Sequence, residues 1–160
     1  MRRIARASVV TGGAAALLMV MAPLASANWT SSLSGVSPGH ESRRWSDQSY
    51  TQVHFKHCTE SSNGTYAMST DVKLYQVIDD ATDRGYDNKT FSECFSLNDG
   101  DETSSGSWTG LPYSYAQWDS NQNQYVGGYY FRIMKVDGFT GDIPALWVRE
   151  VVQDTTLADG

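Results

Sequence analysis

Apolar and polar residues alternate with a period of two in short runs between residues 51 and 153. In the first run, Thr51, Val53, Phe55 and His57 are predicted to share one face. Similar alternation returns at residues 72–78, 91–97, 129–134 and 145–153. These runs are rich in Val, Tyr, Phe, Trp and Thr, so the pattern predicts β-strands. In the last run it predicts Leu146, Val148 and Val152 on one face, opposite Trp147 and Val151.

Turn-forming segments such as Asn98-Asp99-Gly100 and Asp137-Gly138 separate the runs. No window has a long apolar stripe at helical spacing, and only residues 79–88 are predicted to form a short helical turn. About six short strands leave no room for helical crossovers between parallel strands. Residues 49–160 therefore predict an all-β domain, a small antiparallel β-sandwich or barrel.

Residues 1–27 have the pattern of a secretory signal peptide. Three arginines precede the apolar run 9–21, and Ala25-Ser26-Ala27 supplies a cleavage site before Asn28. Residues 28–48 are rich in Ser, Gly and Pro and show no sustained period. Their isolated apolar residues predict an extended N-terminal arm that is not packed on the sandwich. We expect a secreted, extracellular protein.

Charge excludes two classes of partner. The 160-residue chain has 12 basic and 18 acidic residues, and removing residues 1–27 takes away three basic residues, so the exported part has a formal charge of −9. Nucleic acid and anionic membranes need a basic footprint, so we expect neither as a partner. The two cysteines, Cys58 and Cys94, are predicted to form a disulfide in an oxidising compartment.

Candidate metal and catalytic sites are weak. His54 and His57 lie near Cys58, but residues three apart on a strand point to opposite faces, and the cysteine is assigned to the disulfide. The acidic segments 79–87 and 98–102 lack the ligand spacing of an EF-hand, so we expect surface loops. None of the three histidines falls in a recognisable catalytic motif. We therefore expect no metal, no cofactor and no catalytic residue.

Two segments are better candidates for binding. The segment 108–130 places aromatic rings among Ser, Asn, Gln and Asp, a composition that suits a sugar face or a protein hot spot. Its candidate ligand-binding residues are Trp108, Tyr113, Tyr115 and Trp118. In the arm, an exposed Arg-Arg-Trp stretch would suit a partner groove, whereas the alternative is that Trp45 folds back onto the sandwich. The candidate partner-binding residues there are Glu41, Arg43, Arg44, Trp45 and Asp47.

At residues 41–47, at the Cys58 and Cys94 pair, and at Gly128-Tyr129-Tyr130-Phe131, the chain resembles a group of small secreted actinobacterial proteins. This group includes the adaptor subunit of umbrella toxin particles, which are secreted antibacterial assemblies. There the adaptor joins a lectin-bearing, trypsin-like subunit to a large repeat-containing toxin polypeptide. The resemblance implies non-enzymatic bridging of these protein partners, with the N-terminal arm inserted into one of them. Arg43 and Arg44 would suit the cleft of a trypsin-like fold.

The sequence thus predicts a secreted adaptor that binds proteins and catalyses nothing. Three alternatives stay open. One is a carbohydrate-binding module that uses the aromatic segment, another is a protease inhibitor that presents Arg43-Arg44 as bait, and the third is a small hydrolase.

Overall fold

A computed structural model describes residues 28–60, 69–95 and 102–156, and the predicted signal peptide lies outside them. Within these residues, nine strands and one short 3-10 turn follow one another. They are β1 (Trp29–Val36), β2 (Asp47–Glu60), β3 (Thr70–Gln76), β4 (Arg84–Phe91), the turn Glu93–Phe95, β5 (Thr103–Ser114), β6 (Gln117–Asp119), β7 (Gln124–Val126), β8 (Tyr129–Val136) and β9 (Leu146–Asp154). None of the described residues belongs to a helix long and apolar enough to cross a membrane.

The strands form two antiparallel sheets that pack face to face. The larger sheet has the order β1-β9-β2-β5, the smaller has the order β4-β3-β8, and β6 and β7 form a separate hairpin. Phe55 on β2 packs against Phe91 and Phe131 of the smaller sheet, with ring centroids 4.8 and 5.5 Å away. The predicted all-β antiparallel sandwich is confirmed, because each sheet buries one face against the other.

The predicted disulfide is also confirmed. Cys58 on β2 is bonded to Cys94 in the 3-10 turn, with an S–S distance of 2.00 Å. The turn follows β4 after a single residue, so the bond ties the larger sheet to the end of the smaller one. Both cysteines are buried beside the aromatic core.

The prediction of an unpacked N-terminal arm is wrong. Residues 29–36 form β1, which pairs antiparallel with β9, and both Trp29 and Leu33 are buried. Two register irregularities interrupt this pairing, one on each side of Leu33. Irregularities of this kind break the alternation of buried and exposed positions, so the strand shows no period of two in the sequence.

The rest of the predicted arm covers the edge of β8. The backbone N–H groups of Gly39, Ser42 and Trp45 donate hydrogen bonds to carbonyls of β8 at 2.7, 2.9 and 2.9 Å. Covering an edge strand in this way removes a row of unpaired backbone groups. Residues 39–45 are therefore an integral part of the smaller sheet's border.

The alternation of buried and exposed side chains is interrupted in the middle of β2 and in the middle of β9. His57 is exposed and has a φ of 52°, in the left-handed region, while its neighbour Cys58 is buried. On β9, Val148 pairs with Cys58 and Val151 pairs with Phe55, and both valines are buried. The predictions that His57 shares the face of Phe55 and that Val152 shares the face of Val148 are therefore wrong, because strict alternation assumes regular extended backbone.

The predicted helical turn at 79–88 is wrong, because residues 79–83 form a non-helical turn and β4 begins at Arg84. Along this edge strand only Phe91 is buried. A strand with so few buried positions shows no apolar alternation in the sequence. The strand run predicted around 91–97 also ends early, because the 3-10 turn begins at Glu93, and Leu97 lies outside the described residues.

Candidate functional site

Four large aromatic side chains are exposed where β5 ends and the hairpin begins. Tyr113 and Tyr115 are each 56% exposed, Trp118 is 50% exposed and Tyr125 is 46% exposed. We call these four residues the aromatic surface. Three of the four candidate ligand-binding aromatics belong to it.

Trp108 does not belong to the aromatic surface, and its assignment as a ligand-binding residue is wrong. Its side chain is buried, and its indole Nε1 donates a 2.9 Å hydrogen bond to the carbonyl of Asp87 on β4. The alternation of β5 turns Trp108 toward the opposing sheet. The ring therefore joins the two sheets as part of the core.

Trp118 and Tyr125 lie directly opposite each other on β6 and β7. Their rings meet edge to face, with centroids 5.2 Å apart and planes at 73°. In the turn between the strands, the backbone N–H of Asn121 donates to a carboxylate oxygen of Asp119 at 2.8 Å. Edge-to-face pairing and this local bond hold the two rings in one arrangement.

Two glycines fix the hairpin to the sandwich. Gly127 and Gly128 have φ values of 64° and 79°, which favour glycine. A Cβ on Gly127 would lie 2.3 Å from the carbonyl oxygen of Tyr115, and one on Gly128 would lie 2.6 Å from that of Trp45. The backbone N–H of Gly128 also donates to the Ser114 hydroxyl at 2.9 Å. The hairpin is therefore attached to the sandwich by close backbone contacts that leave no room for a side chain at Gly127 or Gly128.

Two of the five candidate partner-binding residues are buried. Trp45 is 4% exposed and Asp47 is 2% exposed. Trp45 packs against Trp29 and Phe131, with centroid distances of 5.9 and 6.4 Å. The expectation that Trp45 is an exposed anchor is wrong, because its ring fills the core where β1 and β8 meet.

The other three candidates lie at the surface, and each contacts a neighbouring side chain. The Arg43 guanidinium lies 5.1 Å from the ring centroid of Trp29. Arg44 lies over Tyr130 and donates a hydrogen bond to the Tyr125 carbonyl, which ties the hairpin to residues 39–45. Glu41 forms a salt bridge with Arg132. Structure thus brings Arg44 close to the aromatic surface, whereas Arg43 and Glu41 have separate partners.

Within residues 39–47, burial shifts the pKa of two groups, Asp47 and His40. It raises the pKa of Asp47 to about 6, although hydrogen bonds from Thr51, Gln48 and Trp45 act in the opposite direction. It lowers the pKa of His40, against the nearby charge of Glu41. Both effects arise because a charged form loses hydration on burial.

A second exposed apolar feature is the loop 137–145, which we call the apolar loop. Phe139 is 60% exposed and Ile143 is 74% exposed. Neither residue is predicted as a binding candidate from the sequence, since both stand singly among turn-forming residues after Asp137-Gly138. The available signal was a large apolar side chain inside a segment that is otherwise typical of a polar turn.

The histidines and acidic residues do not gather into a metal site in the described ranges. His54 Nδ1 lies 2.7 Å from the Ser105 hydroxyl, and His57 is exposed. Asp83 accepts hydrogen bonds from the Tyr130 hydroxyl and the Ile78 backbone N–H. Within residues 28–60, 69–95 and 102–156, no three His, Cys, Asp or Glu residues are placed to hold a metal ion. Residues 98–101 of the second acidic segment lie outside these ranges.

Comparisons with protein-family models, curated proteins and solved structures find no match to this chain. The aromatic surface and the apolar loop are therefore the features from which a function can be inferred.

Proposed function

We propose that the protein is a secreted, non-enzymatic adaptor that binds one protein partner through the aromatic surface and another through the apolar loop. The observation that carries this proposal is the position of two exposed apolar features at opposite ends of one strand, β8. An adaptor needs two such surfaces, far enough apart that the partners do not collide.

The chain connectivity sets this separation. The hairpin of the aromatic surface runs through Gly127-Gly128 into the first residue of β8. The apolar loop leaves the last residue of β8, where Val136 and Phe139 form an isolated bridge. A strand of eight residues spans about 23 Å, at roughly 3.3 Å per residue step. Two partners can thus bind together without sharing a contact residue.

The chemistry of the aromatic surface suits a protein partner. Trp and Tyr are enriched in interface hot spots because they bury large areas with few rotatable bonds. Trp118 and Tyr125 are already held by their mutual contact, so their binding would cost little further side-chain entropy. The close backbone contacts at Gly127 and Gly128 also fix the hairpin, and with it the two rings, relative to the sandwich.

The signal-like residues 1–27 and the disulfide support an extracellular setting. The resemblance to the umbrella toxin adaptors supports an antibacterial particle as the assembly. On that basis the partners would be a lectin-bearing, trypsin-like subunit and a repeat-containing toxin polypeptide.

Affinity purification from the medium of the producing cells tests the proposal. The tagged full-length protein should recover two different polypeptides, identified by mass spectrometry. Trp118→Ala should lose one of them and Ile143→Ser the other, each by roughly 30-fold or more if a hot spot costs about 2 kcal/mol. Val152→Ala, a half-buried position on the outer face of β9, is the control and should retain both.

Each variant must keep the melting temperature of the parent, so that the loss of a partner cannot be explained by a loss of stability. If both variants lose the same polypeptide, the two surfaces form one site and bridging is refuted. Retention of both polypeptides by Trp118→Ala and Ile143→Ser would refute the assigned surfaces.

A carbohydrate ligand is the second candidate for the aromatic surface. Four consecutive amide side chains, Asn121 to Gln124, lie at the hairpin turn beside Trp118 and Tyr125. The Gln124 amide already donates to the Gln122 carbonyl oxygen at 2.7 Å. Amides beside aromatic rings can pair with sugar hydroxyls, so this arrangement favours a polysaccharide.

Sedimentation with insoluble chitin and with cellulose separates the two candidates. A carbohydrate module should bind one of them without any other protein, and Trp118→Ala should abolish the binding. No binding by the purified protein, combined with loss of a polypeptide by Trp118→Ala, would leave the adaptor proposal alone.

A further inference from the structure

We propose that the outer face of the smaller sheet binds an acidic peptide segment. The relevant residues are Arg44, Lys73, Tyr75, Tyr130 and Arg132, which we call the cation–tyrosine face. None of these residues belongs to the aromatic surface or to the apolar loop, and the test of this site does not require either surface of the proposed adaptor.

Two like charges lie directly opposite each other at the centre of this face. Lys73 on β3 pairs with Arg132 on β8 in the antiparallel register. Opposed like charges on neighbouring strands destabilise a sheet. The fold gains nothing from this pairing, whereas an anion seated between the two side chains would be attracted to both.

Tyrosine rings hold the cations in place. Tyr75 and Tyr130 are also opposite each other, and their rings stack with centroids 5.3 Å apart and planes at 10°. The Arg132 guanidinium lies 5.0 Å from the Tyr75 centroid, and the Lys73 ammonium lies 5.5 Å from it. Arg44 lies 5.8 Å from the Tyr130 centroid. Cation–π contacts of this kind preorganise the positive groups for a ligand.

Gly85 leaves the space that Lys73 occupies. A Cβ at Gly85 would lie 2.7 Å from Lys73 Cε and 3.1 Å from Tyr75 Cε1. A side chain on this β4 residue would therefore displace the lysine from the ring. The absence of a side chain at Gly85 therefore allows Lys73 to take its position on the cation–tyrosine face.

The neighbouring carboxylates leave part of the positive charge uncompensated. Glu41 pairs with Arg132. Asp83 accepts hydrogen bonds from two neutral donors, the Tyr130 hydroxyl and the Ile78 backbone N–H, and keeps its negative charge. The three cations of this face therefore lie beside two carboxylates. Among the described residues, Lys73 has neither a salt bridge nor a hydrogen bond, so its ammonium is available to a ligand.

Three features favour an acidic peptide over other anions. The face is built on three paired strands, so it offers an extended surface to an extended chain. Tyr130 is 2% exposed and the Tyr75 ring lies against cations, so neither ring is bare for stacking on a sugar or a base. The whole chain has a formal charge of −6, so an acidic segment is repelled elsewhere and directed to this face.

Fluorescence anisotropy with a labelled octaglutamate peptide tests the proposal on the full protein at low ionic strength. We expect saturable binding that is lost in high salt, and no binding of labelled octaglutamine. Lys73→Gln should weaken the affinity roughly threefold. Lys73→Glu should weaken it roughly tenfold, because the substitution adds repulsion to the lost attraction.

Arg149→Gln and Arg149→Glu are the matched controls, because they change the net charge equally at an exposed position of the larger sheet. Both should alter the affinity by less than twofold. Equal weakening by the Lys73 and Arg149 variants would overturn the site, since only net charge would then matter. Tighter binding of heparin or polyphosphate than of octaglutamate, with the same dependence on Lys73, would overturn the peptide as the ligand.

Discussion

The indole Nε1 of Trp45 donates a hydrogen bond to a carboxylate oxygen of Asp47, 3.3 Å away. Both residues are buried, although the segment has the composition of an exposed linker. The other oxygen of Asp47 accepts a 2.6 Å hydrogen bond from the backbone N–H of Gln48. A core tryptophan is thus oriented by a buried acid whose pKa is raised to about 6.

Asp47 makes the stability of the protein depend on pH. Between an unfolded pKa of about 3.9 and the folded pKa of about 6, the folded state binds more protons than the unfolded state. The contribution of Asp47 to the free energy of unfolding therefore falls as pH rises from 4 to 6. Asp47→Asn should flatten this decline, which is on the order of 2 kcal/mol, in urea unfolding measured from pH 4 to pH 8.

His40 changes the pH dependence of stability in the opposite direction, so it serves as the comparison for Asp47. Burial lowers its pKa, so the unfolded state binds the proton more readily and stability falls as pH decreases below the ordinary histidine value. His40→Gln should remove that loss and leave the Asp47 effect intact. An unchanged pH profile in Asp47→Asn would show that the Asp47 pKa is not raised.

Trp45→Ala should destabilise the sandwich by roughly 3–5 kcal/mol, as expected for deleting a large aromatic ring from a core. The ring contacts Trp29 and Phe131, so the cavity would open where β1 and β8 meet. Arg43→Ala is the matched control in the same segment and should cost less than about 1 kcal/mol, because its contact is an exposed cation–π pair. Equal stability of the two variants in urea would place Trp45 outside the core.

Gly128→Ala should cost about 2 kcal/mol or more, because it combines a positive φ with a backbone clash. It should also weaken whatever binds the aromatic surface, since the hairpin would shift. Gly141→Ala is the control, with nothing within 4 Å of its added Cβ. Calorimetric melting of both variants measures the difference, and similar melting temperatures would contradict the close contact at Gly128.

Removing the disulfide through Cys58→Ser together with Cys94→Ser should lower the free energy of unfolding. The two cysteines are 36 residues apart, which corresponds to roughly 3–4 kcal/mol in the chain-entropy estimate. Guanidinium unfolding of the double variant beside the oxidised parent measures this loss. A change below about 1 kcal/mol would mean that the unfolded chain is little constrained by the bond.

The aromatic surface was only partly accessible to sequence analysis. Composition singled out Tyr113, Tyr115 and Trp118 together with Trp108, and only the fold separates the exposed three from the buried one. For Trp108 and Tyr113 the difference depends on the face of β5 that meets the opposing sheet, which no local pattern specifies, whereas Tyr115 and Trp118 lie beyond the end of β5. The pairing of Lys73 with Arg132 was equally hidden, because the two residues are 59 positions apart and meet only through strand register.

The sequence by itself determined the all-β class, the antiparallel arrangement and the disulfide, whereas the structure decided between a sandwich and a barrel. Alternation with a period of two is a local property, and two cysteines allow a single pairing. Only the tertiary structure decided that Trp29 and Trp45 belong to the core, because β1 pairs with β9 and the segment of Trp45 pairs with β8, both far away in the chain. Tertiary packing also decided the phase of β2 beyond His57, since one left-handed residue reverses which side chains face inward. Strand formation follows from neighbouring residues, whereas burial and pairing depend on contacts between residues far apart in the chain.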